Sequence, residues 1–110
     1  MSAILDAETF DMLIDAIGEE GTRRVVELFL GECRELTGAI IAPGADPATI
    51  GRAAHSLKSS AGQLGALALS EAALAVEAAA AAGSPELPQL IVALDEGARA
   101  TRKALTARLQ

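Results

Sequence analysis

The sequence contains no tryptophan or tyrosine and only two phenylalanines among its 110 residues. Aromatic and β-branched residues favour strands, whereas alanine and leucine, which supply most of the apolar side chains, favour helices. Hydrophobic residues still make up 51% of the chain, which is enough to form a buried core and excludes a disordered chain. The composition therefore predicts an all-α fold, and the length predicts one domain over residues 1–110.

Cysteine and long apolar runs are also scarce. Cys33 is the only cysteine, so no internal disulfide can form, and its place on an apolar helical stripe predicts a buried thiol. The most apolar stretch, residues 66–82, contains Ser70, Glu71 and Glu77 and is not a membrane span. The first ten residues have neither a basic segment nor the apolar run of a signal peptide, so we expect a cytoplasmic protein.

The formal net charge is −6 at pH 7. Proteins that bind nucleic acids or anionic membranes through their general surface are basic, so neither partner is expected. We interpret the excess of acidic over basic residues as a feature that keeps the protein soluble.

Five segments carry apolar residues at helical spacing, separated by glycine, proline and capping residues. Gly18 ends the first segment and Thr22 opens the second, while Asp46-Pro47 and Ser84-Pro85 each place a capping residue before a proline that starts a helix. The predicted elements are a short N-terminal helix over 6–17 and bundle helices over 22–42, 47–65, 69–82 and 85–109.

The apolar positions define the faces that pack together. In the second helix they are Val25, Val26, Phe29, Cys33, Leu36 and Ile40, and in the third they are Ile50, Ala54, Leu57, Ala61 and Leu64. In the fourth they are Leu69, Ala73, Val76 and Ala80. Steps of three and four residues are typical of helices packed along their lengths, and short connections make neighbours antiparallel. We expect an antiparallel up-down four-helix bundle with the N-terminal helix packed across one end.

His55 is the only histidine, and it lies on the outer side of the third helix. A helix advances about 100° per residue, which puts His55 roughly 140° from the centre of the apolar face. Gly51, Ser59 and Gly62 share its side of the helix. Glycine within a helix costs about 0.5–1 kcal/mol relative to alanine, so two glycines there indicate a face that another molecule approaches closely.

Arg52, Lys58 and Gln63 flank the same face, and the two cations would attract an anion. Imidazole is a nucleophile near neutral pH, and a phosphoryl group on His55 would find a cationic partner in Lys58 one turn on. This pattern predicts phosphoryl chemistry at His55. An ordinary surface histidine with incidental glycines is the alternative that the residues alone leave open.

Two other kinds of site receive little support. A metal site would need further ligands, but there is no second histidine and Cys33 is expected to face inward on another helix. Ser56, Ser59 and Ser60 lie near His55, but no aspartate or glutamate occurs between Asp46 and Glu71 to orient the imidazole in a catalytic triad.

Residues 55–66, HSLKSSAGQLGA, resemble the signature of histidine-containing phosphotransfer (HPt) domains, H-x-L-K-G-[SA]-x-x-x-[LI]-G. The resemblance implies that His55 accepts the phosphoryl group, that Lys58 contacts it, and that Ser60 is a small polar neighbour. Gly65 matches the glycine at the helix end. Ser59 stands where the family usually has glycine, and we expect it to reduce the clearance while keeping function.

By the same resemblance, the protein is a phosphorelay intermediary of two-component signalling. It would take a phosphoryl group from the aspartate of one receiver domain, within a hybrid or upstream histidine kinase, and pass it to the receiver domain of a response regulator. The receivers would supply Mg²⁺, so no cofactor of its own is expected. The chain shows no ATP-binding domain and no phosphate-binding glycine loop, which predicts no autonomous kinase activity.

Two alternatives remain at this point. One is a helical bundle that binds proteins without being phosphorylated, and the other is a dimeric phosphotransferase, for which the chain is short. Because four apolar faces close one bundle, we expect a monomer. Receivers should dock on the face formed by Gly51, Ser59 and Gly62 and on exposed apolar residues of the first helix, Leu5, Ile14 and Ile17.

Overall fold

The computed structural model describes residues 3–109, which form four α-helices and no strand. The helices are α1 (Ala7–Ile41), α2 (Pro47–Gln63), α3 (Leu67–Ala82) and α4 (Leu87–Arg108). α2 packs between α1 and α3, and α4 packs between α3 and α1, so the four close around one core. The predicted all-α four-helix bundle is confirmed. None of the helices within residues 3–109 is long and apolar enough to cross a membrane.

α1 combines the predicted short N-terminal helix with the predicted second helix. Gly18, with φ 79° and ψ 171°, interrupts it, a conformation that glycine adopts readily. Thr22 does not begin a helix as predicted, because residues 19–21 are already helical. Thr22 is instead buried, and its hydroxyl donates a 2.7 Å hydrogen bond to the carbonyl of Gly18. The hydroxyl therefore contacts the backbone at the point where Gly18 interrupts α1.

The part of α1 before Gly18 lies across one end of the bundle, over the connection between α2 and α3. The Asp6 amide donates to the carbonyl of Gly65 at 2.8 Å, and the Ala68 amide donates to the carbonyl of Ala3 at 3.0 Å. Phe10 is buried, with 3% of its surface exposed. These contacts fix the N-terminal segment to the α2–α3 hairpin.

The ends of α2 follow the signals in the sequence. The Asp46 carboxylate accepts a 2.7 Å hydrogen bond from the Thr49 amide, and Pro47 occupies the first turn, as predicted. Beyond the helix, Gly65 has a φ of +76° and packs so closely on Thr9 that a Cβ at this position would lie 2.9 Å from the Thr9 Cβ. Gly65 therefore serves both the turn and the contact with α1.

α4 begins two residues later than predicted. Ser84 and Pro85 lie in the turn before the helix, where the Ser84 hydroxyl accepts a 3.2 Å hydrogen bond from the Glu86 amide. Leu87 is the first helical residue, and Pro88 occupies the first turn in the role predicted for Pro85. A serine-proline pair marks the turn correctly, but a second proline three residues on sets the start of the helix.

The predicted third and fourth helices correspond to α2 and α3, and the apolar faces predicted for both are buried in the core. The thiol of Cys33 is buried there as well. Three other predicted positions differ. Val25 is exposed rather than inward-facing, and Leu5 and Ile14, expected to be exposed, pack partly buried against the core. The N-terminal segment lies flat on the bundle end, which covers both of the latter side chains.

Candidate functional site

His55 occupies the centre of α2 and points away from the core. Its side chain is 59% exposed, while Ala54 and Leu57 beside it are fully buried. The outward orientation predicted from the helical wheel is confirmed. The buried neighbours therefore attach this turn of α2 to the core, while the imidazole stays accessible.

A carboxylate from the next helix contacts the imidazole. The Oε2 atom of Glu77, on α3, lies 2.8 Å from Nδ1 of His55, and its Oε1 atom accepts a 3.1 Å hydrogen bond from Nζ of Lys58. The sequence analysis looked for a carboxylate only among the residues near His55 along the chain, between Asp46 and Glu71, where none occurs. It therefore missed Glu77, which the neighbouring helix supplies.

The position of Glu77 follows from the symmetry of the hairpin. His55 lies eleven residues before Ala66 in the turn, and Glu77 lies eleven residues after it. Residues at equal distances from the turn of an antiparallel helical hairpin lie at about the same height, and they touch where both face the partner helix. Gly62 and Ser70 obey the same rule, because a Cβ on Gly62 would lie 3.5 Å from Oγ of Ser70. This symmetry is the signal by which the sequence could have identified Glu77.

The charges around Glu77 keep it ionised. The hydrogen bond from Lys58, and secondarily that from His55, hold the pKa of this carboxyl below its ordinary value of 4.5, although partial burial opposes the shift. At neutral pH the carboxylate is therefore an acceptor only, and it accepts from two donors with one oxygen each.

Small residues form a depression beside the imidazole. It has a volume of about 520 Å³ and is lined by Pro47, Ala48, Gly51, Arg52, His55, Ser56, Glu77, Ala80 and Ala81. Apart from its chain neighbours and the adjacent backbone of α2, no atom lies within 4 Å of the position that a Cβ on Gly51 would occupy. The predicted association of Gly51 and Arg52 with His55 is thus present in the structure, and the alanines of α3 extend the open surface.

The other predicted face residues lie on the side of α2 towards its C-terminal end. Ser60 donates a hydrogen bond to the Glu32 carboxylate on α1, and Ser60 and Gln63 border a second depression of about 250 Å³. Ser59 is exposed, and Gly62 adjoins Ser70 on α3. The predicted residues therefore form two neighbouring surfaces rather than one ring around His55.

Comparison with known proteins identifies the family of the chain. The sequence model described as "Hpt domain" matches residues 24–109, which include α2, α3 and α4 in full. The chain belongs to the Hpt domain family. The match confirms the resemblance drawn from residues 55–66, and it gives the chain a histidine phosphotransfer role in phosphorelays, with receiver domains and kinases as the general class of partner.

The fold of this Hpt domain also matches a solved structure. The crystal structure of histidine-containing phosphotransfer protein B (HptB) from Pseudomonas aeruginosa PAO1 superimposes with a TM-score of 0.92 at 20% sequence identity. The superposition covers 100% of this chain and 97% of the other, so the N-terminal segment, which the family model does not match, belongs to the shared fold. No curated protein sequence matches the chain significantly.

An apolar surface of the Hpt domain adjoins the second depression. Val25 and Leu28 of α1 line that depression together with Leu13, and Leu28 is 71% exposed. Of the three docking residues predicted in the first helix, only Ile17 is substantially exposed, at 46%. The sequence analysis missed Val25 and Leu28, because it assigned the first to the core and did not consider the second.

Proposed function

We propose that this protein is a phosphorelay intermediary in which His55 accepts a phosphoryl group from the aspartate of one receiver domain and transfers it to another. The observation that carries the proposal is the state of the imidazole. One ring nitrogen, Nδ1, is held by Glu77, and the other, Nε2, has no hydrogen-bond partner within residues 3–109. An exposed ring with one nitrogen held and the other free suits a nucleophile.

The transfer balances without any other reactant. The lone pair on Nε2 attacks the phosphorus of the acyl phosphate, so the N–P bond forms while the bond from phosphorus to the aspartate oxygen breaks. The aspartate leaves as a carboxylate, and the ring becomes a phosphoimidazolium whose proton stays on Nδ1. Onward transfer to the second receiver reverses these steps. Lys58, about one turn from His55, is placed to offset the charge of the phosphoryl oxygens.

Receivers would approach over Gly51 and Arg52 on one side of His55 and over Ser59, Ser60, Gly62 and Gln63 on the other. Val25 and Leu28 provide the apolar contact at the edge of this surface. In this proposal Mg²⁺ belongs to the receiver, and the protein is a cytoplasmic monomer with no ATP-dependent kinase activity. Its weak interfaces would allow it to exchange one receiver for the other.

The proposal is tested by labelling. Purified protein is incubated with phosphorylated receiver domains, and the His55→Gln variant is compared with Ser56→Ala, which changes the adjacent exposed residue. Wild type and Ser56→Ala should acquire an acid-labile phosphate, as phosphohistidine is acid-labile and phosphoserine is not. A His55→Gln protein that still becomes labelled excludes His55 as the acceptor. A wild-type protein that binds receivers and takes no label would instead be a protein-interaction module.

A further inference from the structure

The seam between α1 and α4 is open over much of its length. These two helices share less contact than the other neighbouring helix pairs of the described chain. Towards the end where α4 begins, the seam forms a largely apolar cavity of about 740 Å³, in which Ile41 and Val92 are 48% and 58% exposed. Further along, it forms a cavity of about 420 Å³ lined by Arg34, Arg102, Lys103, Thr106 and Ala107.

The two cavities belong to one groove. One flank of α4 carries lining residues at successive steps of three and four, namely Pro88, Val92, Asp95, Arg99, Arg102 and Thr106. On α1, Arg34 and Ile41 lie seven residues apart on the flank that faces α4. We call this surface, from Ile41 and Val92 at one end to Arg34, Arg102 and Lys103 at the other, the α1–α4 groove. A rise of 1.5 Å per residue makes it about 20 Å long.

The cationic end of the α1–α4 groove lacks an ion-pair partner within the described residues. No carboxylate in residues 3–109 lies within salt-bridge distance of Arg34, Arg102 or Lys103, although acidic residues outnumber basic ones by 15 to 9 in the sequence. Arg99, the next cation along the groove, is paired with Asp95 at 3.3 Å. Three like charges around one depression repel one another, and an anion bound among them relieves this repulsion.

The dipole of α4 does not account for these cations. It favours positive charge in the last turn of a helix, and the effect falls off beyond that turn. Arg108 occupies the last turn, whereas Arg102 and Lys103 lie more than one turn earlier. Arg102 is also only partly exposed, and its Nη1 atom lies 4.0 Å from Sγ of Cys33. Packing therefore restricts this side chain before any ligand binds, so less rotamer freedom is lost on binding.

We propose that the α1–α4 groove binds a short segment of a partner protein that carries apolar side chains at one end and acidic side chains at the other. The apolar end would contact Ile41 and Val92, and the acidic end would contact the three cations. The net charge of −6 disfavours a nucleic acid or an anionic membrane, because a long polyanion meets much of the protein surface at once. A short segment meets only the groove. An amphipathic helix of about four turns would span it.

The groove lies on the opposite side of the bundle from the imidazole. α1 and α4 form one side of the ring of helices, and α2 and α3, which carry His55 and Glu77, form the other. A bound segment would therefore leave His55 accessible. It would hold the chain on a partner while other proteins meet the imidazole, and the proposal does not depend on phosphoryl transfer.

A pair of synthetic peptides provides the probe. The first has about four helical turns, with leucines on one face of its first half and glutamates on the same face of its second half. The second has glutamine in place of every glutamate. Wild type should bind the glutamate peptide at least about fivefold more tightly, and the difference should shrink as the salt concentration rises. Amide chemical shifts should change along the α1–α4 groove and not around His55.

Substitutions separate the two ends of the groove. Arg34→Gln/Lys103→Gln should weaken binding of the glutamate peptide at least about fivefold and leave binding of the glutamine peptide unchanged. Arg24→Gln is the matched control, because it removes a positive charge from an exposed position of α1 outside the groove. Val92→Asn should weaken binding of both peptides, whereas Leu74→Asn, at an exposed position of α3, should weaken neither.

The substituted side chains are exposed, so thermal unfolding should be unchanged in every variant. Equal binding of the two peptides by wild type overturns the proposal, and so does an equal effect of Arg24→Gln and Arg34→Gln/Lys103→Gln. Shift changes centred on His55 would also overturn it. A wild-type dimer in sedimentation that dissociates in Arg34→Gln/Lys103→Gln would make a second copy the occupant. Tighter binding to vesicles of acidic phospholipid than to the glutamate peptide would refute a protein partner.

Discussion

Replacing Gly65 with alanine tests how the N-terminal segment is held on the bundle. The new Cβ would lie 2.9 Å from the Cβ of Thr9 and 3.2 Å from the carbonyl oxygen of Asp6, so α1 would have to shift. Overpacking of this kind costs about 1–3 kcal/mol. The positive φ of +76° destabilises the folded state by a further amount of about 1–2 kcal/mol when the residue has a Cβ. Alanine also lowers the entropy of the unfolded chain, which offsets about 0.4–1 kcal/mol of this destabilisation.

We therefore expect Gly65→Ala to lower the free energy of unfolding by about 2–4 kcal/mol. Gly83→Ala is the matched control, since Gly83 has a φ of +64° but nothing within 4 Å of its Cβ position. The free energy of unfolding of Gly83→Ala should fall by about 1 kcal/mol, because only the backbone conformation is strained. The difference between the two variants isolates the contact with Thr9.

Urea denaturation provides the measurement, with an unchanged m-value as evidence that both variants unfold by the same transition. Amide exchange adds a local readout, because the Asp6 amide, which donates to the Gly65 carbonyl, should exchange faster in Gly65→Ala and not in Gly83→Ala. Equal destabilisation of the two variants would refute the argument, because it would mean that the close approach to Thr9 contributes nothing.

Three further predictions concern the site and its helix. Lys58→Ala should slow phosphoryl transfer. It should change Tm by less than about 3 °C, because the ion pair with Glu77 is partly solvated. If Arg52→Ala slows transfer equally, Lys58 acts only as one of several surface charges and has no specific contact with the phosphoryl group. Gly51→Ala should stabilise α2 by about 0.5–1 kcal/mol and yet slow transfer by narrowing the depression, whereas the exposed Gly38→Ala should stabilise α1 and leave transfer rates alone. Hydrogen bonds with Thr49 lower the pKa of Asp46, and the pKa of Glu77 is also lowered. Both carboxylates therefore stabilise the folded protein at neutral pH, and this stabilisation is lost as the pH falls through their lowered pKa values. Thermal unfolding from pH 7 to pH 3 should therefore show a decline below about pH 4.5, shallower in Asp46→Asn/Glu77→Gln, and an unchanged slope would contradict the assignment.

The sequence was most informative where one helix alone decides the structure. The apolar face of α2, its start at Asp46-Pro47 and the outward direction of His55 all follow from the 3.6-residue period and from capping chemistry, and all three match the structure. The inward face of α3 was predicted with equal success. These features depend on the order of residues within a turn or two.

Features that depend on contacts between helices were predicted less well. Glu77 was missed because its partner lies across the hairpin, and Val25 was misplaced because the edge of an apolar face cannot be located without its neighbour. Leu5 and Ile14 were expected to be exposed, but the segment that carries them lies down on the bundle end through backbone hydrogen bonds, which leave no pattern in the side chains.

The site residues and the exposed apolar residues beside them lie on different helices, and this affects how such a protein can diverge in evolution. His55, Lys58 and Glu77 all lie on the α2–α3 hairpin, while the exposed apolar side chains beside the site, Val25 and Leu28, come from α1. Under the proposed function, substitutions at those two α1 positions would change which receivers are recognised without disturbing the residues that handle the phosphoryl group. Duplicated copies could acquire separate partners through surface changes in one helix, with the chemistry inherited intact.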